Sequence, residues 1–371
     1  MAGSLPRYLL LLAVLFLAME GAARTEDRVR YGTAWFSPYR EQSEMIVRDA
    51  DGVHGRRNAR FQKWGMNNLG FRGPDVDSVP APETIRVITA GASETFGLYE
   101  TEGKEYPRQL QDSLTAALPA LACLRVHRVE VLNAAMAGMT LPTVTQDVQR
   151  RLPRFAPAVI VYYPTPSQYL NDEMPVAARP DSTAAGPSSP DWRRSLHPRV
   201  LDRLREQAKG LLPERVQDYL RARMIESAVA AHAPGWQFER IPPDRLAAYE
   251  ADLRAFVGAA RAIGAEPVLA THGSMFSGDR PANPRALRMW GRFYPRATGA
   301  VILAFDSAAA ERTRAVARDS SVALADVLRM VAPGGYADNI HFTDVGAGEA
   351  AGTIASAVVD AWRHAHCGSG S

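Results

Sequence analysis

Five short apolar runs punctuate the chain from Ile85 onward, and stretches of helical periodicity follow each of them. They read IRVITA from Ile85, VEVLNA from Val129, AVIVYY from Ala158, EPVLAT from Glu266 and VALAD from Val322. Apolar runs of this length, rich in β-branched residues, fit strands covered on both faces better than strands with one wet face. Helical candidates occupy 107–118, 141–152, 244–263, 299–318 and 344–364. Strand and helix alternating in this way predict an α/β domain, a doubly wound five-stranded parallel sheet with helices on both faces. At 371 residues, 46% hydrophobic and 22% charged, the chain has the material for such a core.

The N-terminus is organised differently. Residues 1–23 carry a basic Arg7, an apolar stretch from Tyr8 to Met19, and the small residues Gly21, Ala22 and Ala23 as a candidate cleavage site. This is the layout of a signal peptide or a membrane anchor, although the apolar run is shorter than the ~20 residues a spanning helix needs. Either reading places the body outside the cytoplasm and allows membrane attachment through this segment. Residues 24–84 read as an N-terminal extension with little helix, and 85–366 as the α/β domain. An insert at about 171–243 interrupts that domain: RPDSTAAGPSSPDW is loop-like, and 198–230 is amphipathic and helical. A second break, 272–295, follows the fourth apolar run. Both fall after strand carboxyl ends, where α/β folds bind ligands, so both are candidate lids.

The charge pattern excludes one class of partner. The net charge is +3, lysine occurs only at Lys63, Lys104 and Lys209, and the many arginines are interspersed with acids. Without a basic stripe there is no footprint for nucleic acid. The two cysteines, Cys123 and Cys367, match no zinc spacing, and neither a metal nor a cofactor is implied.

The chemistry-bearing residues lie at the two ends of the domain. Ser93, in VITAGASETFG, follows the first strand behind two small residues, where a hydroxyl is either a nucleophile or a helix cap. A nucleophilic serine needs a base and an acid that orients it. DNIHFTDVG supplies Asp338 and His341 three residues apart, directly before the last helix, at the same sheet edge.

GASETFG, NAAMAGMT, the Tyr-rich third strand and DNIHFTDVG, in that order, resemble the SGNH/GDSL hydrolase superfamily over about residues 85–365. The resemblance implies a flavodoxin-like sheet and an ester-bond hydrolase. It implies Ser93 as nucleophile and one oxyanion N–H donor, Gly138 as another, Asp338 as orienting acid and His341 as base. The family's third block supplies an asparagine amide; here the chain reads YYPTPSQYLND, with Gln168, Thr165 or Asn171 as candidate substitutes.

Arg72 in NNLGFRGPD and His272 after the fourth strand are further candidates to touch substrate, each with a structural alternative: an ion pair tying down the extension, and a histidine closing its strand. In this topology Cys123 and Cys367 lie under helices of one face, which allows a disulfide between them. The expected function is an extracytoplasmic serine esterase acting on a small ester or an acylated glycan. The alternatives are a carbohydrate O-acyltransferase using the same residues and a catalytically weak glycan-binding relative. The oligomeric state is not legible.

Overall fold

The computed structural model describes residues 5–171, 192–276 and 283–366. The chain opens with helix α1, Leu5–Tyr31. Two small antiparallel hairpins follow, β1 (Ile46–Asp49) with β2 (Gly52–Gly55) and β3 (Arg60–Phe61) with β4 (Trp64–Gly65). The α/β domain then begins with β5 (Thr84–Gly91), the short α2 (Ser93–Phe96), α3 (Tyr106–Ala117), β6 (Arg128–Asn133), α4 (Leu141–Arg150) and β7 (Val159–Tyr163). The insert contributes α5 (Arg199–Leu211) and α6 (Glu214–Ala230). The domain resumes with α7 (Pro243–Ala262), β8 (Glu266–Ala270), α8 (Pro284–Gly291), α9 (Gly299–Asp319), β9 (Ala323–Ala325), α10 (Val327–Met330) and α11 (Asp344–His366).

Strands β5 to β9 form one parallel sheet in the order β6-β5-β7-β8-β9. The chain therefore leaves β5 in one direction and returns past it to β7. That reversal opens a crevice outside the strand carboxyl ends, the place where a doubly wound sheet takes its ligand.

The pleat explains why both faces are apolar. Along β7, Val159, Val161 and Tyr163 face a layer with Leu110 and Leu114 of α3 and Ile354 and Val358 of α11. Ile160 and Tyr162 face the opposite layer, with Val148 of α4, Phe256 of α7 and Phe305 of α9. Each such fully buried side chain contributes about 1.5–3 kcal/mol. Local signals set the helix starts: Thr140 accepts from the Thr143 amide before α4, Thr298 from the Val301 amide before α9, and Asn283 caps α8.

The little helix in the extension is at its start, where α1 continues through Gly21-Ala22-Ala23 to Tyr31. At 27 residues it is long and apolar enough to cross a membrane by length and composition, although the apolar run alone is short. The second break includes helix α8, Pro284–Gly291. Elsewhere the extension docks as strands and turns. The Asn67 side-chain oxygen accepts from the amides of Leu69 and Phe71 (both 2.9 Å), and the Arg72 amide donates to the Asn133 carbonyl at the end of β6 (3.0 Å). The expected Cys123–Cys367 pairing involves Cys367, which lies outside the described residues, as does most of RPDSTAAGPSSPDW.

Candidate active site

β5 ends at a residue that has to be glycine. A Cβ on Gly91 would sit 2.3 Å from Thr95 Oγ1 and 2.7 Å from the Tyr163 carbonyl oxygen, so no other residue lets the strand turn into α2 here. Ser93 is the first residue of that helix. The opening N–H groups of a helix have no intrahelical acceptor and remain available for an anion at the strand end.

The hydroxyl of Ser93 donates to Glu94 Oε2 at 3.1 Å. Glu94 is fully buried and gathers a polar cluster beneath the serine. Thr165 Oγ1 donates to its carboxylate (3.1 Å), and His272 Nε2 lies 3.5 Å from Oε1. The other ring nitrogen of His272 meets Asp306 Oδ1 at 2.6 Å. Burial alone pulls the His272 pKa down, but the two carboxylates outweigh it and push it up to about 10, so the ring is an imidazolium. Burial raises Glu94 in turn, and the close cationic His272 with the charge of His341 overcomes it. Glu94 is held below its ordinary range and stays ionised.

On the far side of the crevice, Asp338 and His341 form a dyad before α11. His341 Nδ1 lies 2.8 Å from Asp338 Oδ2 and 3.0 Å from Oδ1, while the amides of Ile340 and His341 donate to Oδ1 at 3.0 and 2.9 Å. This fixes the ring so that Nε2 is the free nitrogen, and Nε2 makes no hydrogen bond among the described residues. Burial lowers the His341 pKa; the hydrogen bond its Nδ1–H donates to Asp338 and the charges of Glu94, Asp338 and Glu100 exceed it and raise the pKa. Burial likewise works against Asp338, whose carboxyl the His341 contact keeps below its ordinary range. The ring of Tyr99 covers His341, with centroids 4.9 Å apart.

Ser93, Gly138, Thr165, Gln168, Asn171, Asp338 and His341 line one cavity of about 500 Å³. Gly138 holds φ at +83°, a left-handed turn that glycine takes without strain. Its apolar wall comes from Leu98, Met289, Trp290, Phe293, Tyr294 and Ile340. α8 is thus part of the site, and Asn339 ties it to the dyad loop: its side-chain amide bridges the Ala286 carbonyl (2.8 Å) and the Trp290 amide (3.0 Å). Among the described residues of the insert, only Asn171 reaches the cavity. Such a site can present a hydroxyl, a free imidazole nitrogen and backbone donors to one carbonyl group.

Several candidates lie elsewhere or are already engaged. His272 does not reach the cavity wall; it is fully buried under Glu94, where a histidine paired with two carboxylates has no surface for substrate. Arg72 is also buried. It donates to the carbonyls of Phe96 and Gly97, stacks on the Phe96 ring and faces Glu105, bracing the end of α2 from behind. Thr165 has its hydroxyl on Glu94, and Gln168 donates its amide to the Met139 carbonyl (3.0 Å). The sequence reading missed Glu94 and Asp306. A signal for Asp306 was present, as it is the single charge in the apolar run GAVILAFDSAAA.

No protein-family model matches the chain, and no curated protein matches it in sequence. Solved structures similar to it include many GDSL-like lipases and acetylxylan esterases. One is the acetylxylan esterase Axe2 from Geobacillus stearothermophilus (14% identity, 75% of this chain and 95% of that one, TM-score 0.40). Another is a GDSL-like lipase from Bacteroides thetaiotaomicron (13% identity, 77% and 91%, TM-score 0.38). A third is LAE5, described as an alpha/beta hydrolase enzyme from the metagenome of Lake Arreo (16% identity, 75% and 94%, TM-score 0.40).

Proposed function

We propose that this chain is a serine ester hydrolase in which Ser93, His341 and Asp338 form the catalytic triad. The observation that supports the proposal is that Ser93 and an oriented His341, whose Nε2 has no hydrogen-bond partner among the described residues, line one cavity at the sheet's switch point. In the reaction Ser93 exchanges its bond to Glu94 for one to His341 Nε2. His341 takes the hydroxyl proton as Oγ attacks the acyl carbon, then returns it to the leaving alkoxide. Water resolves the acyl-enzyme by the same route. The N–H groups of Ser93 and Gly138 receive the oxyanion. Glu94, ionised below the serine, favours the imidazolium that forms on His341.

The apolar wall from Leu98 to Phe293 suits the acyl group, while Asn171 offers a polar group to a hydroxylated alcohol such as a sugar. We place the body outside the cytoplasm with α1 retained as its anchor, because the candidate cleavage point lies inside a docked helix. Ala23 is buried, and its carbonyl accepts from Arg203 Nη2 of α5 at 3.0 Å. Hydrolysis of acyl esters of rising chain length by the wild type and by Ser93→Ala tests the assignment: the wild type turns them over and the variant does not. Equal turnover by both would refute it.

A further inference from the structure

The apolar groups exposed by α5, α6 and the segment after α1 form a pattern that the hydrolase site does not use. Along α5, Leu201, Leu204 and Leu211 are all exposed at 48%, 48% and 83%, spaced so that they share one stripe. Along α6, Val216, Leu220 and Met224 repeat every fourth residue, with Tyr219 beside them, and all four are exposed. Such faces on a soluble body are unusual.

Their position relative to α1 says what covers them. The apolar part of α1, Leu9 to Leu17, is exposed, and the helix meets the body immediately afterwards. Glu20 Oε2 accepts from the Val200 amide at 2.9 Å, pinning the base of the apolar segment to the first turn of α5. Arg24 reaches the carbonyls of Trp35 and His197, and Arg203 binds Asp27 (2.8 Å). The leucine stripe of α5 thus starts one residue after the point where α1 is pinned. Trp35 and Phe36, exposed at 44% and 63%, flank the same point, with Arg24 over the Phe36 ring. Exposed aromatics at the foot of a spanning helix, beside amphipathic helices, are the composition of a membrane interface.

We infer that α5 and α6 lie on the bilayer surface, their leucine-rich faces and the Trp35–Phe36 pair seated among the lipid headgroups around the exit point of α1. The inference rests on α1 being an anchor and is independent of the catalytic assignment. α6 is joined to α8 through Arg285, which pairs with Glu214 and Asp218, so the membrane-facing layer backs directly onto the helix that walls the cavity. Substrate presented from the bilayer is then the consequence, with an amphiphilic ester as its class.

The test uses the full chain in vesicles of phosphatidylethanolamine and phosphatidylglycerol doped with doxyl-labelled lipid. A fluorophore is attached at Leu204→Cys, Met224→Cys, Leu12→Cys in α1, or Ser356→Cys on the exposed side of α11. Labels at 204 and 224 should be quenched about twofold or more, and the label at 356 should not. Leu220→Glu should release the quenching at 224. Quenching at 12 without any at 204 and 224 overturns the inference while keeping the anchor. Loss at all three positions, with the protein washed off by alkaline carbonate, overturns the anchor as well. Contact quenching between labels on two copies at 204 and 224, independent of doxyl lipid, would assign the face to self-association and also overturn it.

Discussion

Ser93 donates a hydrogen bond from its hydroxyl to Glu94, its own neighbour, at 3.1 Å, while His341 Nε2 across the cavity has no hydrogen-bond partner among the described residues. The Ser93 hydroxyl is thus engaged by a carboxylate that His272 and Thr165 flank from below. Glu94 therefore has two effects: it competes for the hydroxyl in the resting state, and it favours the cationic form of His341 during reaction.

Glu94→Gln separates these effects. Removing the negative charge lowers the His341 pKa, because one of the charges raising it is gone. His341 works as a base only when neutral, so the acid limb of kcat/KM moves to lower pH. A pH profile of the variant checks this, and a limb at or above the wild-type position contradicts it.

Asp338→Asn keeps the shape of the dyad and removes its charge. The amide no longer fixes the Nε2-free tautomer, and kcat falls by about 10⁴-fold, the scale of loss when a triad acid becomes an amide. In the wild type the raised His341 pKa places the acid limb above the ordinary 6.5. Stopped-flow acylation across pH reads both quantities.

Gly138→Ala places a side chain at φ +83° with no neighbour within 4 Å. The strain costs about 1 kcal/mol of stability, while a displaced N–H removes an oxyanion donor and lowers kcat by roughly 10²–10³. A thermal melt alongside steady-state kinetics distinguishes this from simple unfolding: the melt shifts little and kcat shifts much, with KM nearly unchanged.

His272 makes stability depend on pH at the alkaline end. Its folded pKa is raised from 6.5 to about 10, so its contribution is complete below 6.5 and is lost as pH climbs through about 10. Denaturant unfolding of the wild type should weaken across that window, and His272→Gln should be less stable at neutral pH but flatter with pH. Parallel curves for the two proteins would contradict the assignment of the charge to His272.

Much of this was legible in the sequence where a short period repeats. The five apolar runs became the five strands within a residue or two, because a strand buried on both faces has to be apolar at every position, as Val159 to Tyr163 are. The helices between them carried their own start signals in Thr140 and Thr298. The length of α1 was obscured by Gly21-Ala22-Ala23, which read as a cleavage site while the contacts holding it helical come from Val200 and Arg203, about 180 residues away. The cluster under Ser93 was hidden for the same reason: His272 finds Asp306 only after α9 crosses behind β8. The seven-residue pattern NNLGFRG gave no strand period, since its order comes from the Asn67 side chain and from docking on Asn133.

The most direct measurement is reaction of the full-length protein with a fluorophosphonate, followed by mass mapping of the modified peptide. The account predicts a single adduct on Ser93, lost in Ser93→Ala and strongly slowed in His341→Ala. An adduct on another serine, or labelling of the Ser93→Ala protein at the wild-type rate, would contradict it.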